Sequence, residues 1–216
     1  MKRMFFPMKR FIALTALGLA PLLVSAEGVY GGISIGQTTV PTTTDGRLFA
    51  EAIAEITHGS VTEYTDSKQL SNWSILGGYK LNESLAVELS YGEIKTKKYS
   101  FMTDTSYGAN TESNYKGFSL GIVVRPPIDT GLNRLFGVIG VHNYTAKGSG
   151  VSWSAGTFSD NGSTSVSGTG SLYGFGYDLD ISKNTSLRFD VRRMNKVAGT
   201  SDANFTNLNV GLLKGF

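Results

Sequence analysis

The sequence predicts an all-β chain whose eight antiparallel strands close into a membrane-spanning barrel. Three observations carry this. Apolar and polar residues alternate with a period of two along most of the chain. The polar face is built from Gly, Ser, Asn and mid-strand charges, while the apolar face carries long aromatic side chains. The connections alternate between short and long.

The N-terminus reads as an export signal. Lys2, Arg3, Lys9 and Arg10 precede an apolar run from Phe11 to Val24, and Val24-Ser25-Ala26 supplies small residues at a cleavage position. The run has 14 residues and contains Pro21; a spanning helix needs about 20. Cleavage between Ala26 and Glu27 is expected, dividing the chain into a signal (1–26) and a barrel domain (27–216). The formal net charge is +3. Four of the 20 cations lie in the signal, which leaves 16 against 17 acids. The basic balance therefore belongs to the signal and does not point to nucleic acid. With no cysteine in the chain, disulfides, thiolate metal sites and a lipid-modified N-terminal cysteine are excluded.

Strands are expected near 28–38, 68–81, 84–98, 113–125, 132–147, 167–181, 184–197 and 203–216. In 171–181, Tyr173, Phe175, Tyr177, Leu179 and Ile181 fall on one face and Gly174, Gly176, Asp178 and Asp180 on the other. Leu187, Phe189 and Val191 alternate with Arg188, Asp190 and Arg192. A soluble sandwich also alternates. Its polar face, however, would lie outside and carry scattered Lys and Glu, whereas here that face suits a narrow lumen. Eight strands enclose a space that side chains can fill, and closure leaves no unpaired edge in lipid.

The short connections carry turn residues: Asn82-Glu83, Pro126-Pro127 and Lys183-Asn184. Residues 39–67, 99–112 and 148–166 read as long polar loops. Within the first, Leu48, Phe49, Ala52, Ile53 and Ile56 share a helical face, with Asp45 as a start signal and Gly59 as a stop. That stretch reads as a short amphipathic helix or as a loop closing over its own apolar cluster.

Three stretches carry a family resemblance. Residues 74–91, with Gly77-Gly78-Tyr79, Asn82 at the turn and Glu88 amid apolar alternation ending in Tyr91, resemble the second hairpin of the OmpA-type transmembrane domain. Tyr173 to Arg192 is similar to that family's sixth and seventh strands. The end of the chain, Leu208, Val210, Leu212 and Phe216 in alternation, resembles the terminal signature of outer-membrane proteins; Lys214 departs from it. The resemblance implies a bacterial outer-membrane location. It also implies that the final aromatic is read by the barrel assembly machinery. The family's fourth strand often carries an inward lysine, and here Val123 holds that position.

No catalytic set is evident. His142-Asn143-Tyr144 lacks the serine that lipid-deacylating barrels place two residues on, and His142 reads as an interfacial residue. No metal site and no cofactor is expected. The residues singled out are the lumen charges Glu88, Asp178, Arg188, Asp190 and Arg192. Glu88 and Arg188 fall on strands at opposite sides of an eight-membered ring, so they are expected to pair across the lumen, with Asp178 and Asp190 competing for the arginine. Aromatic loop residues Phe49, Tyr107, Trp153 and Phe158 are candidate contacts. The expected function is non-enzymatic: a monomeric outer-membrane barrel that supports envelope integrity and presents loops for surface interaction. Its expected partners are outer-membrane lipid and lipopolysaccharide, the barrel assembly machinery, and host-surface or phage ligands at the loops. The alternative is a small channel or a pore for apolar solutes.

Overall fold

The computed structural model describes residues 28–40, 44–66, 69–126, 134–154 and 157–216. The expected cleavage site, Ala26 and Glu27, lies outside these residues. The elements are β1 (Val29–Thr39), α1 (Thr44–Ile56), β2 (Val61–Asp66), β3 (Gln69–Lys80), β4 (Leu85–Thr103), β5 (Tyr107–Val124), β6 (Leu135–Ser154), β7 (Thr157–Ser182), β8 (Thr185–Met194) and β9 (Phe205–Gly215).

Nine strand segments make eight staves. β3 pairs with the lower part of β4, from Lys80↔Ala86 to Asn72↔Ile94, and β2 pairs with the upper part, through Thr65↔Ser100. The two are therefore the lower and upper halves of one stave. The ring closes where β1 meets β9, from Tyr30↔Gly215 to Thr39↔Thr206, and every neighbour is antiparallel. Both described chain ends lie at one end of the barrel, together with the short turns. There Asn82 Oδ1 accepts from the backbone N–H groups of Ser84 and Leu85, each at 2.9 Å, which is the local bonding that makes asparagine a turn former.

Burial runs opposite to that of a soluble domain. Ile35 and Phe175 are 69% and 66% exposed, whereas Arg188, inside the ring, is 1% exposed. In water that distribution would waste the hydrophobic effect and strand a charge. In lipid it places the apolar wall outside and the polar groups where they can bond to one another.

Two features differ from the sequence reading. Residues 99–112 and 148–166 are largely ladder. β4 and β5 are joined by only 104–106, and β6 and β7 by 155–156, so the strands continue past the lipid-facing wall as projecting hairpins. Above the membrane a strand needs no apolar face, and the two arms satisfy each other's main-chain groups. A solvated hairpin therefore has the polar composition of a loop. The interior is also not polar throughout. Val40, Leu70, Ile94, Tyr144, Leu172, Met194, Val197 and Phe205 form an apolar layer at the hairpin end, and Tyr30, Ala86, Val123, Phe136, Val138 and Leu213 form another at the end carrying the termini.

α1 forms, with Leu48 and Ile56 turned outward and Ile53 half-buried. Ala50 and Ala54 are buried, while Leu48 is 57% and Ile56 74% exposed. It does not close over a cluster of Leu48 and Ile56. Its C-terminus is capped by Gly59 N–H to Ala54 O at 2.8 Å and His58 N–H to Glu55 O at 3.1 Å, with His58 in the left-handed region at φ 54°. Gly59 thus follows the left-handed position. Its lack of a Cβ serves close packing, because a Cβ there would collide with Asp104 and Thr105 at the β4–β5 tip.

Candidate functional site: a charged layer across the barrel

Next to the apolar layer at the hairpin end, and interleaved with the apolar residues at the terminal end, lies a layer of six charged side chains. On β8, alternation turns Arg188, Asp190 and Arg192 inward together. Asp178 faces Arg188 directly across the β7–β8 ladder. Its carboxylate accepts two bonds from that guanidinium, Nε to Oδ1 at 2.7 Å and Nη2 to Oδ2 at 3.0 Å. Glu88 reaches in from β4, on the opposite wall, and its Oε1 accepts from Arg188 Nη1. The other Glu88 oxygen lies 3.4 Å from Arg192 Nη2, and Arg192 Nε donates to Asp190 Oδ1 at 3.0 Å. Asp178 accepts from Arg188 and Arg125, whereas Asp190 pairs with Arg192 and does not compete for Arg188.

Several partners were not singled out from the sequence. Arg125, just past the end of β5, donates to Asp178 Oδ2 at 2.8 Å and brings the layer to three cations and three anions. Its parity continues that of Ser119, Gly121 and Val123, so extending the alternation by one inward position would have found it. The Tyr30 hydroxyl donates to Glu88 at 2.8 Å, and Asn209 Nδ2 donates to Asp190 at 2.8 Å. Gly78 makes room for Tyr30, because a Cβ at that position would collide with the tyrosine ring. Phe136 stacks under Arg188, whose Cζ lies 4.3 Å from the ring centroid. Sequence parity cannot show which inward tyrosine, asparagine or phenylalanine touches which charge.

A cavity of about 30 Å³ separates this layer from the apolar layer at the hairpin end, bordered by Ser34, Asn72, Arg192, Asn207 and Asn209 among others. That is room for one water. On the other side a cavity of about 1130 Å³ opens at the terminal end, bordered by Lys80, Arg125, Arg134, Asp178, Asp180 and Lys183 among others.

His142 is not interfacial. It is buried in the lumen, its Nε2 lies 2.9 Å from Asn195 O, and it helps hold the inturned 195–204 connection in place. Val197 and Ala198 of that connection are buried, and Gly199, at φ 79°, lies against Gly168, where a Cβ on Gly168 would collide with the Gly199 backbone. Leu208, Val210, Leu212 and Phe216 all face outward, and the Phe216 N–H donates to Val29 O at 3.0 Å, fastening the last residue to the closing seam. Trp153 and Tyr107 are half-buried, with the Trp153 ring over Gly108; the side chains of Phe49 and Phe158 lie outside those described.

Residues 11–216 match the family model for the outer membrane protein beta-barrel domain. The comparison with curated proteins finds no match. Among solved structures, Ail of Yersinia pestis, in complex with the heparin analogue sucrose octasulfate, is 14% identical with a TM-score of 0.51, covering 88% of this chain and 100% of Ail. Neisserial surface protein A is 16% identical (TM-score 0.42, 88% of this chain and 97% of that one). The N-terminal barrel domain of Pseudomonas aeruginosa OprF is 13% identical (TM-score 0.45, 88% and 98%). At these identities the Ail likeness speaks for the fold alone. The family match adds the location: the chain belongs to the outer membrane protein beta-barrel domain family and is a protein of the bacterial outer membrane.

Proposed function

We propose that this protein is a non-enzymatic, non-conducting barrel that anchors the β4–β5 and β6–β7 hairpins outside the cell. Its lipid-facing wall supports envelope integrity. The hairpins and α1 are its contact surface for lipopolysaccharide, host surfaces or phage, and Phe216 with Leu212, Val210 and Leu208 is its signal to the assembly machinery. The observation that carries the closed reading is the neutral layer of six charges, packed among the apolar residues of the terminal end and separated from the apolar layer at the hairpin end by a one-water gap. Single-channel recording of the refolded protein in planar bilayers tests it: no resolved conductance is expected. Location of the hairpins is tested separately with Ser159→Cys, the sole cysteine in that variant, labelled on intact cells by a membrane-impermeant maleimide.

The large cavity at the terminal end favours a second reading, a small channel gated by the charged layer. A resolved conductance that rises in Glu88→Ala would select it.

A further inference from the structure

The 195–204 connection, which joins β8 to β9 at the hairpin end of the barrel, is held from inside. Val197 is fully buried in the apolar layer there, and Ala198 is buried next to it. The Asn195 N–H donates to Ser171 O and the Val197 N–H to Ala203 O, each at 2.9 Å. Lys196 and Ala198 both take left-handed backbone angles, at φ 56° and φ 55°. Neither is glycine, so the turn is strained and persists only while its anchors hold it.

One anchor is titratable. His142 projects from β6 and is 1% exposed. Its Nε2 lies 2.9 Å from Asn195 O, a carbonyl that only accepts, so Nε2 carries the proton of the neutral ring. Nδ1 is buried without a hydrogen-bond partner among the described residues. A second proton would make it a buried, charged donor with nothing to accept from it. Tyr144, on the same strand, meets the ring edge-on with centroids 5.7 Å apart, and Gly170 on β7 leaves the space that the ring and Asn195 O fill. The other titratable groups on the surrounding elements are Tyr115 on β5, Arg192 on β8, and Lys196 and Asp202 in the connection. Arg192 is tied to Asp190 and Glu88, and Lys196 and Asp202 are exposed. Among the described residues no charged group bears on the ring.

We propose that His142 is an acid-sensitive latch. Neutral, it holds the 195–204 connection inside the barrel; protonated, it releases the connection into solvent at the hairpin end. Water can solvate the second proton only once the ring is released, so release takes a proton up. The held state is therefore complete above the imidazole range and is lost as pH falls through it. Release relieves the left-handed turn at 196–198 and uncovers the apolar layer around Val197. The charged layer below keeps its own bonds, so the barrel stays closed. That the latch answers to the medium outside the cell rests on the reading that the hairpins stand there.

The test uses the full chain in lipid nanodiscs. Hydrogen exchange is followed at the Asn195 and Val197 amides, relative to an unstructured peptide at the same pH. From about pH 7.5 to about pH 4.5, a span that brackets the ordinary imidazole value, protection there should fall by about tenfold or more. The β3–β4 ladder should stay unchanged. His142→Gln keeps an N–H for Asn195 O and has nothing to titrate, so its protection should not vary with pH. The nitrogen shifts of the ring give a second reading that needs no variant: Nδ1 should gain its proton in step with the loss of protection. The proposal falls if protection in the unmodified chain stays flat down to about pH 4.5. It also falls if His142→Gln shows the same loss, or if Nδ1 is protonated while the connection stays protected. If His142→Gln does not fold, the ring shifts alone decide. Failed surface labelling of Ser159→Cys alongside an intact pH response would overturn the location and leave the latch standing.

Discussion

Arg188 and Glu88 stand 100 residues apart in the chain and on opposite walls of the barrel, yet they share an ion pair at its centre. Both are almost fully buried, so each depends on the other for the hydration it has given up. Removing one should be worse than removing both. Glu88→Ala and Arg188→Ala are each expected to destabilise by about 3–5 kcal/mol, and the pair by clearly less than the sum. Urea-driven unfolding in lipid measures the cycle. A coupling near zero would mean that each charge is held by its other partners.

Arg125 touches the same network from the open cavity side. Arg125→Ala leaves Asp178 with both bonds from Arg188, so its cost should fall well below that of Arg188→Ala in the same assay. Equal losses would show that neutrality of the layer matters more than its local geometry.

The two faces of the wall should respond to different properties of a substituent. Phe175→Arg and Leu120→Arg place a charge in lipid and should cost about 2–4 kcal/mol near the midplane. At Gly174 volume is the limit, since even a Cβ would collide with Val191 O. Gly174→Ala and Gly174→Arg should therefore both destabilise, graded by size. Matching sensitivity to charge on both faces would contradict the lipid-facing assignment.

Asp104, at the β4–β5 tip, ties down the end of the α1 segment. Its carboxylate accepts from the Ser60 N–H and the Ser60 hydroxyl, each at 2.8 Å, and these bonds hold its pKa below the usual aspartate range. A depressed pKa means the contact is fully present above the unfolded aspartate value and is lost as pH falls through the lower, folded one. Hydrogen exchange at Ser60 should stay slow at neutral and mildly acidic pH and rise only below that range. Asp104→Ala should make it fast at every pH. A rise already at mildly acidic pH would place the control elsewhere.

Export should leave Glu27 as the first residue of the protein isolated from envelopes, read by intact-mass analysis. A start inside β1 would remove part of the seam with β9 and prevent closure.

The sequence by itself determined the barrel, because lipid outside and a narrow lumen inside write opposite chemistry onto alternate residues. Ile33, Ile35, Phe175 and Leu208 could face only lipid, and Glu88, Arg188 and Asp190 only the lumen. The same parity was available for Arg125. The tertiary structure decided what parity cannot carry. Alternation gives a side chain's direction but not its height around a sheared ring, so it could not pair Asp190 with Arg192 or lay Tyr30 on Glu88. Nor could composition separate a solvated hairpin from a loop, since Ser, Thr and Gly satisfy both. The projection of β6 and β7, the exposed face of α1 and the inturned 195–204 connection depend on which main-chain groups find partners, and those partners are distant in the chain.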